Sequence, residues 1–557
     1  MLKEKLTQYL EDSIRDNWDM PALADYNGIQ MSYSKVAKKI CLLHLVFEHA
    51  GLKPQDKIAL IGKNSANWGV TFLAIVTYGA VAVPILPDFM PGDIQEIVNH
   101  SDSKMLFSSE SIFNTLHPEK MPGILAIYAV DDLQVLSSRN TTAAIEKQEL
   151  DKLFIKKYGE KLKKEKFSVS TIHNDDLAII SYTSGTTGHS KGVMLTHNSL
   201  TANIRFARNN MPLKSGDKIV SFLPLAHSYG LAFEFIFPFT LGCHITFLTK
   251  TPSPQIITQA FAEIRPNLIL SVPLVIEKIY KKRLLPTIGK PPVSILLKIP
   301  LINSLLYKKI NKKLTAIFGG NFKEVVIGGA PFNAEAEAFF KKINFPFTVG
   351  YGMTECGPLI SYAAHNITKL QSSGKPVDTL EIKIDSEDPE KIVGEILIKG
   401  ENVMKGYYKN EEATTKAIDK DGWLHSGDIG VKDKEGFIFI KGRSKSMILG
   451  PSGQNIYPEE LESIINNKNG VLESVVVEEN GKLIALVCPD PDFMSSLSKS
   501  GRLLEELFEE HRKELNMHVP AYMGINKFII HTEEFEKTPK RSIKRYKYTG
   551  KNYSAAN

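Results

Sequence analysis

Cysteine is scarce in this 557-residue chain: Cys41, Cys243, Cys356 and Cys488 are all there is, and no two form a CxxC pair. That excludes a disulfide framework and a thiolate zinc site, and it fits a reducing, cytoplasmic setting. The first residues, MLKEKLTQYLEDSI, lack an apolar stretch, so no secretory signal is read there. Charge of one sign is in only mild excess, with 68 Lys and Arg against 62 Asp and Glu for a net +6. Such a surplus suits anionic ligands or a lipid headgroup surface without fixing either, and nothing in it points to nucleic acid. Internal repeats and extended low-complexity tracts are missing too, which leaves an ordinary globular protein with 43% hydrophobic and 23% charged residues.

One stretch is long enough to span a bilayer: Ser65 to Pro87 carries no charge. Gly79 and Pro84 divide it, so a buried helix (Asn67–Tyr78) followed by a short β-branched strand is expected instead. At this length two or three domains are expected. KIALIG, LAIISYTS, KIVSFLP, HITFL, NLILSVP and KEVVIGG each sit between helical patterns. The fold class is therefore α/β, with a large N-terminal domain of helix-covered, mostly parallel sheets. After about Gly400 the texture changes to antiparallel strands around turns at Lys432–Gly436 and Asn480–Gly481, with a helix at YPEELESIINN. Residues 444–557 are enough for a small α+β domain. Leu284–Leu314 mixes apolar and basic residues around four prolines, and reads equally as a membrane-surface element or a helical insertion with a wet face.

The strongest chemical signal is SYTSGTTGHSKGVMLTH, Ser181–His197, placed after the strand LAII and before the helical NSLTANIRFA. Gly185 and Gly188 permit a backbone nest, Thr183, Ser184, Thr186 and Thr187 add hydroxyl donors, and Lys191 adds a compact positive charge; together they suit phosphate oxygens. It is not a Walker A loop, because Ser190 and Gly192 flank the lysine.

This segment closely resembles the signature of adenylate-forming enzymes, whose members include acyl-CoA synthetases. Five further motifs follow in the expected order: LPLAHSYG, VVIGGAP, VGYGMTECGP, GWLHSGDIG and IKGRSKSMILGPSGQNIYPEELE. Among subfamilies, LPLAHSYG, GYGMTECGP and NIYPEELE look most like long-chain fatty acyl-CoA synthetases. The resemblance implies attack of a carboxylate on the α-phosphate of ATP, then displacement of AMP by the thiol of CoA. It implies ATP, Mg²⁺ and CoA as ligands. An acyl carrier protein in place of CoA, a homodimer, and contact with the inner membrane surface stay open.

Carried over by resemblance, Thr183 to Gly188 and Lys191 hold the β- and γ-phosphates, Glu355 binds Mg²⁺, and Thr354 contacts the α-phosphate. Tyr351, Gly329 and Ala330 frame adenine, and Asp428 takes the ribose hydroxyls with Arg443 in support. His227, Tyr229 and Gly352 belong to the acyl pocket, Gly453 to the CoA tunnel, and Lys445 to a hinge between domains 1–443 and 444–557.

The last motif departs from the pattern. In KTPKRSIKRYKY, Lys537–Tyr548, Ser542 stands where relatives carry the lysine that enters the active site during adenylation. A serine supplies no charge. Lys540, Arg541 and Lys544 are the candidates to substitute, and an impaired nucleotide-binding protein is the alternative.

Overall fold

The computed structural model describes all residues except 140–142, 185–189, 251, 289–290, 292, 298, 300–301, 450–453, 492, 495–502, 539–542, 552 and 554–557. Its centre is an eight-stranded sheet. In spatial order the strands are Gly406–Tyr407, Ser190–Thr196, Leu177–Ser184, Val81–Ile85, Lys57–Ile61, Ser103–Ser108, Ala126–Ala129 and Val135–Ser138. The middle of this sheet is parallel, as short apolar strands alternating with helices predict. Lys218–Ser221, His244–Phe247 and Pro21–Asp25 run parallel in a second sheet. Leu268–Ser271, Glu324–Ile327 and Phe347–Val349 do so in a third.

The uncharged stretch resolves as the helix Ala66–Tyr78 and the strand Val81–Ile85. Ser65 Oγ accepts from the Trp68 N–H at its start, and Gly79, at φ +89°, ends it in the left-handed conformation. Every residue from Ala66 to Thr77 is buried, so the apolar character serves the core. No helix among the described residues is long and apolar enough to cross a membrane.

The signature lies between a strand and a helix as expected, and it holds one element that the sequence reading did not foresee. Leu177–Ser184 is followed by a second strand, Ser190–Thr196, antiparallel to it, with Thr183 opposite Lys191 and Tyr182 opposite Gly192. The helix begins only at His197, capped by the Thr196 side chain. Alternation explains the strand: Val193 and Leu195 are buried, while Met194 and Thr196 are half-buried. Gly192 lets the hairpin close, since a Cβ there would lie 2.8 Å from Ile180 Cγ2.

Beyond residue 375 the strands are mostly antiparallel. Leu380–Asp385, Gly394–Gly400, Leu424–Lys432 and Ile438–Arg443 form one sheet. Val471–Glu479, Lys482–Pro489 and Ile525–Ile530 form another. The helices Pro458–Ile465 and Leu504–His518 pack on that last sheet. Two apolar clusters from Ile456 onward share no residue with the clusters that end at Ile438. Between the two parts, the Lys281 ammonium donates to the Asn466 carbonyl at 2.6 Å, and Lys441 lies 3.8 Å from Glu460.

Candidate active site

The chain folds so that residues far apart in sequence converge where the antiparallel hairpin meets two tight turns. Asp428 sits in the Leu424–Lys432 strand directly opposite Arg443 of the next strand. Its Oδ1 pairs with Arg443 Nε at 2.9 Å, and its Oδ2 accepts from the Tyr351 hydroxyl at 2.6 Å. Burial pushes the Asp428 carboxyl up, and the Arg443 guanidinium partly opposes that. Tyr351 is buried, and burial beside the Asp428 carboxylate holds its hydroxyl well above the usual range, so it donates. Arg443 remains mostly exposed, with 59% of its side chain open to solvent, so the cation faces outward over a buried carboxylate.

A second cluster forms around Tyr407, which sequence reasoning did not single out. Gly406–Tyr407 pairs antiparallel with Ser190–Thr196, placing Tyr407 opposite Val193. Its hydroxyl donates to Glu355 Oε1 at 3.0 Å, and its ring lies under the Lys191 ammonium, 4.8 Å from centroid to Nζ. Nothing in KGYYKN announces this role, because strand pairing alone creates it. Thr354 and Glu355 lie in a single turn, Thr354–Cys356, and the Glu355 carbonyl accepts from the Met404 N–H at 2.8 Å. Thr354 is buried and Glu355 half-buried. Gly352 admits no side chain, since a Cβ there would stand 2.3 Å from the Pro358 carbonyl oxygen.

Glu355 fits a hard cation. One oxygen is oriented by Tyr407, the other makes no hydrogen bond with a described residue, and no cluster of three or more His, Cys, Asp or Glu gathers among the described residues. A single carboxylate suits an ion held otherwise by water and phosphate oxygens.

Gly329 takes φ +88°, which glycine tolerates, and the exposed Ala330 follows it. The Tyr229 hydroxyl donates to the Val326 carbonyl at 3.1 Å, and its ring approaches Gly328, where a Cβ would stand 3.3 Å from Tyr229 Cζ. His227 is half-buried, with its N–H donating to the Pro224 carbonyl at 3.0 Å. Ser181, Ala226, Ser228 and Gly357, from three separate motifs, line a cavity of about 10 Å³ together with Leu231 and Ala232. The phenylalanine-rich run LAFEFIFPFTLG, Leu231–Gly242, packs behind it, with Phe233, Phe235, Phe237 and Phe239 fully buried.

Glu234, also unpredicted, is fully buried in that run. One oxygen accepts from Ser221 Oγ and from the Phe222 and Leu223 N–H groups at 2.9–3.0 Å, and burial pushes the carboxyl well up. It anchors the turn that carries His227 and Tyr229. A lone acid in LAFEFIFPFTLG was the available signal.

Of the C-terminal candidates Lys540, Arg541 and Lys544, Lys544 is the one described, and its partner lies outside these clusters. Lys544 pairs with Glu536 at 2.6 Å within the same loop, and this hydrogen bond raises its ammonium above the usual range. Lys445 is exposed in the single turn Ser444–Ser446. Gly185, Thr186, Thr187, Gly188, Gly453, Lys540, Arg541 and Ser542 lie outside the described residues. Thr183 is half-buried and faces Lys191 across the hairpin, while Ser184 ends the first strand.

The model of the AMP-binding enzyme family matches residues 10–408. A long-chain-fatty-acid–CoA ligase of Mycobacterium bovis, FadD15, is 28% identical over 94% of this chain and 91% of its own. The rat long-chain-fatty-acid–CoA ligase 5 is 28% identical over 84% of this chain and 72% of its own. Among solved structures, ATP-bound MatB from Rhodopseudomonas palustris superposes with a TM-score of 0.75, covering 98% of both chains at 22% identity.

Proposed function

Because the chain belongs to the AMP-binding enzyme family, we propose that it is an acyl-CoA synthetase that converts a long-chain fatty acid to acyl-AMP and then to acyl-CoA. The observation that carries this reading is the convergence of the Tyr351–Asp428–Arg443 chain and the Lys191–Tyr407–Glu355 chain on the turn that holds Thr354. The long-chain relatives support the choice of acid.

In this reading the Asp428 carboxylate accepts from the ribose hydroxyls, which replaces solvent with fixed partners and orients the nucleotide. Tyr351 holds that carboxylate and offers its ring to adenine alongside Gly329 and Ala330. Lys191, with Thr183, Ser184 and the residues 185–188, faces the β- and γ-phosphates. Thr354 donates to the α-phosphate. A substrate carboxylate oxygen then bonds to the α-phosphorus as the bond to pyrophosphate breaks. Charge neutralisation at that crowded anionic centre is the main catalytic demand. Mg²⁺ held by Glu355 would screen phosphate charge. In the second step a CoA thiolate bonds to the acyl carbon and AMP leaves with the electron pair. His227, Tyr229 and Gly352 border the acyl group, and Gly453 borders the pantetheine.

Residues 1–443 form the substrate-binding domain and 444–557 a small domain that turns near the exposed Lys445. Separate apolar clusters support this division. Because Lys544 is paired with Glu536, Lys540 and Arg541 are the first candidates for the charge that Ser542 does not supply.

The test measures AMP release with CoA across fatty acids of increasing length, with wild type, Lys540→Ala and Ser542→Lys. Turnover that rises with chain length and falls sharply in Lys540→Ala supports the proposal. ATP binding without turnover on any acid overturns it in favour of a nucleotide-binding protein, and turnover only with a carrier protein overturns the choice of acceptor.

A further inference from the structure

Between Glu277 and Glu324 the chain has eleven Lys and Arg residues and no acid, so the remainder of the molecule is net negative. This segment also concentrates exposed apolar side chains. Ile295, Ile299, Ile302 and Leu305 are 59%, 40%, 39% and 70% exposed, within eleven residues. Scattered single exposed apolar side chains need no explanation, but four in one short segment do.

The helix Ile302–Ile317 shows how the two features are arranged. Its inner face is fixed to the body. Leu314 is buried, Asn311 Nδ2 donates to the Ile343 and Asn344 carbonyls at 2.8 Å, and the Tyr307 ring lies under the Lys342 ammonium. The outer face carries Ile302 and Leu305 in its first turn and the exposed Lys308, Lys309, Lys312 and Lys313 beyond. None of these four lysines makes an ion pair with a described residue. Leu305 and Lys312 are about 10 Å apart along the axis, at about 1.5 Å per residue. Lys308 and Lys312 also line an open groove of about 530 Å³ with Asn311 and Thr315.

We propose that this face docks on an anionic lipid bilayer. The apolar tip enters the acyl boundary, and the lysines reach the phosphate level, with two of them bordering a groove that takes a headgroup. Exposed apolar groups beside unpaired cations are complementary to such a surface on both counts. A protein partner would require acids or a shaped apolar cleft, and a second copy would set lysines against lysines. The proposal goes beyond the catalytic reading and stands on different residues, so acid specificity and membrane docking fail or succeed separately.

The experiment is co-sedimentation of the full chain with vesicles of neutral phosphatidylcholine alone or mixed with phosphatidylglycerol, without substrates. Binding to the mixed vesicles is expected, and raising the salt weakens it because the Debye length falls. Each lysine near a charged bilayer contributes about fivefold, so the Lys308→Gln, Lys309→Gln, Lys312→Gln, Lys313→Gln variant loses about 10² in partitioning, allowing for incomplete additivity. Ile302→Asp with Leu305→Asp loses at least about tenfold. All six positions are solvent-facing, and unchanged melting together with unchanged ATP–pyrophosphate exchange in the absence of vesicles shows that the fold is kept. Equal binding to neutral and anionic vesicles, or no binding to either, overturns the proposal. So does a concentration-dependent dimer that the Asp variants abolish, because the face would then join two copies of this chain.

Discussion

Replacing Tyr407 with phenylalanine separates the two jobs its side chain holds. The ring stays under Lys191, 4.8 Å away, while the hydroxyl that orients Glu355 at 3.0 Å is lost. A hydrogen bond to a charged acceptor is worth about 1.5–3 kcal/mol, which is about 10- to 150-fold in rate if Glu355 must be oriented in the transition state. Tyr407→Leu removes the cation–π contact as well, a further ~0.5–2 kcal/mol. Pyrophosphate exchange at varied ATP and Mg²⁺ reads both. The expected outcome is a loss mainly in kcat for Tyr407→Phe, with a higher Mg²⁺ requirement, and an added rise in the KM for ATP for Tyr407→Leu. A double-mutant cycle with Glu355→Gln sharpens the test, because two residues acting through one bond must couple. Additive losses in that cycle, or a Tyr407→Phe enzyme indistinguishable from wild type, would refute the reasoning.

Two further predictions concern stability. Burial lowers His44 and His197 to about 4, and neither His197 ring nitrogen has a hydrogen-bond partner among the described residues. The unfolded chain binds more protons below the ordinary histidine pKa of about 6.5. Each site's contribution is therefore complete above that pH and is lost toward pH 4 at about 1.4 kcal/mol per pH unit. Urea unfolding at pH 7.5 and 5 should show a gap that narrows by about 2 kcal/mol in His197→Met; an unchanged gap contradicts the assignment. In the C-terminal part, Arg545 makes a two-pronged pair with Glu462 at 2.7 and 2.6 Å, and Glu462 is only 8% exposed. Arg545→Ala leaves that carboxylate buried alone and should cost about 3–5 kcal/mol, whereas Arg545→Met with Glu462→Gln should restore most of it. Equal destabilisation of both variants, read by urea titration, argues against the charge mechanism.

Local pattern made the elements legible, and named motifs made most of the site legible. The helix at Ala66–Tyr78, the strands that follow it and the antiparallel texture after Gly400 each follow from periodicity and from Gly or Pro punctuation. Asp428 and Arg443 are linked in the sequence only through family resemblance, which assigns Tyr351 to adenine; the 2.6 Å bond that joins Tyr351 to Asp428, 77 residues away, is visible only in the fold. The hairpin at Ser190–Thr196 was missed because a glycine-rich signature reads as a loop, although its last residues alternate as a strand should. Tyr407 was not legible at all. Its partners come from strand pairing and from a turn 52 residues earlier, which no local pattern encodes. Glu234 shows the reverse: an acid inside an apolar run is conspicuous, but only the fold reveals the three donors that hold it.

The apolar clusters on either side of residues 438–456 have no member in common, and that has a calorimetric consequence. A chain assembled this way does not melt as one cooperative unit, because neither part needs the other to bury its side chains. Scanning calorimetry is expected to show two unfolding transitions, with contacts such as Lys281 to Asn466 and Lys441 to Glu460 coupling them weakly. A single sharp transition would refute that expectation. Acid sensitivity at His197 belongs to one transition and the Arg545–Glu462 pair to the other, so each must be looked for in its own peak.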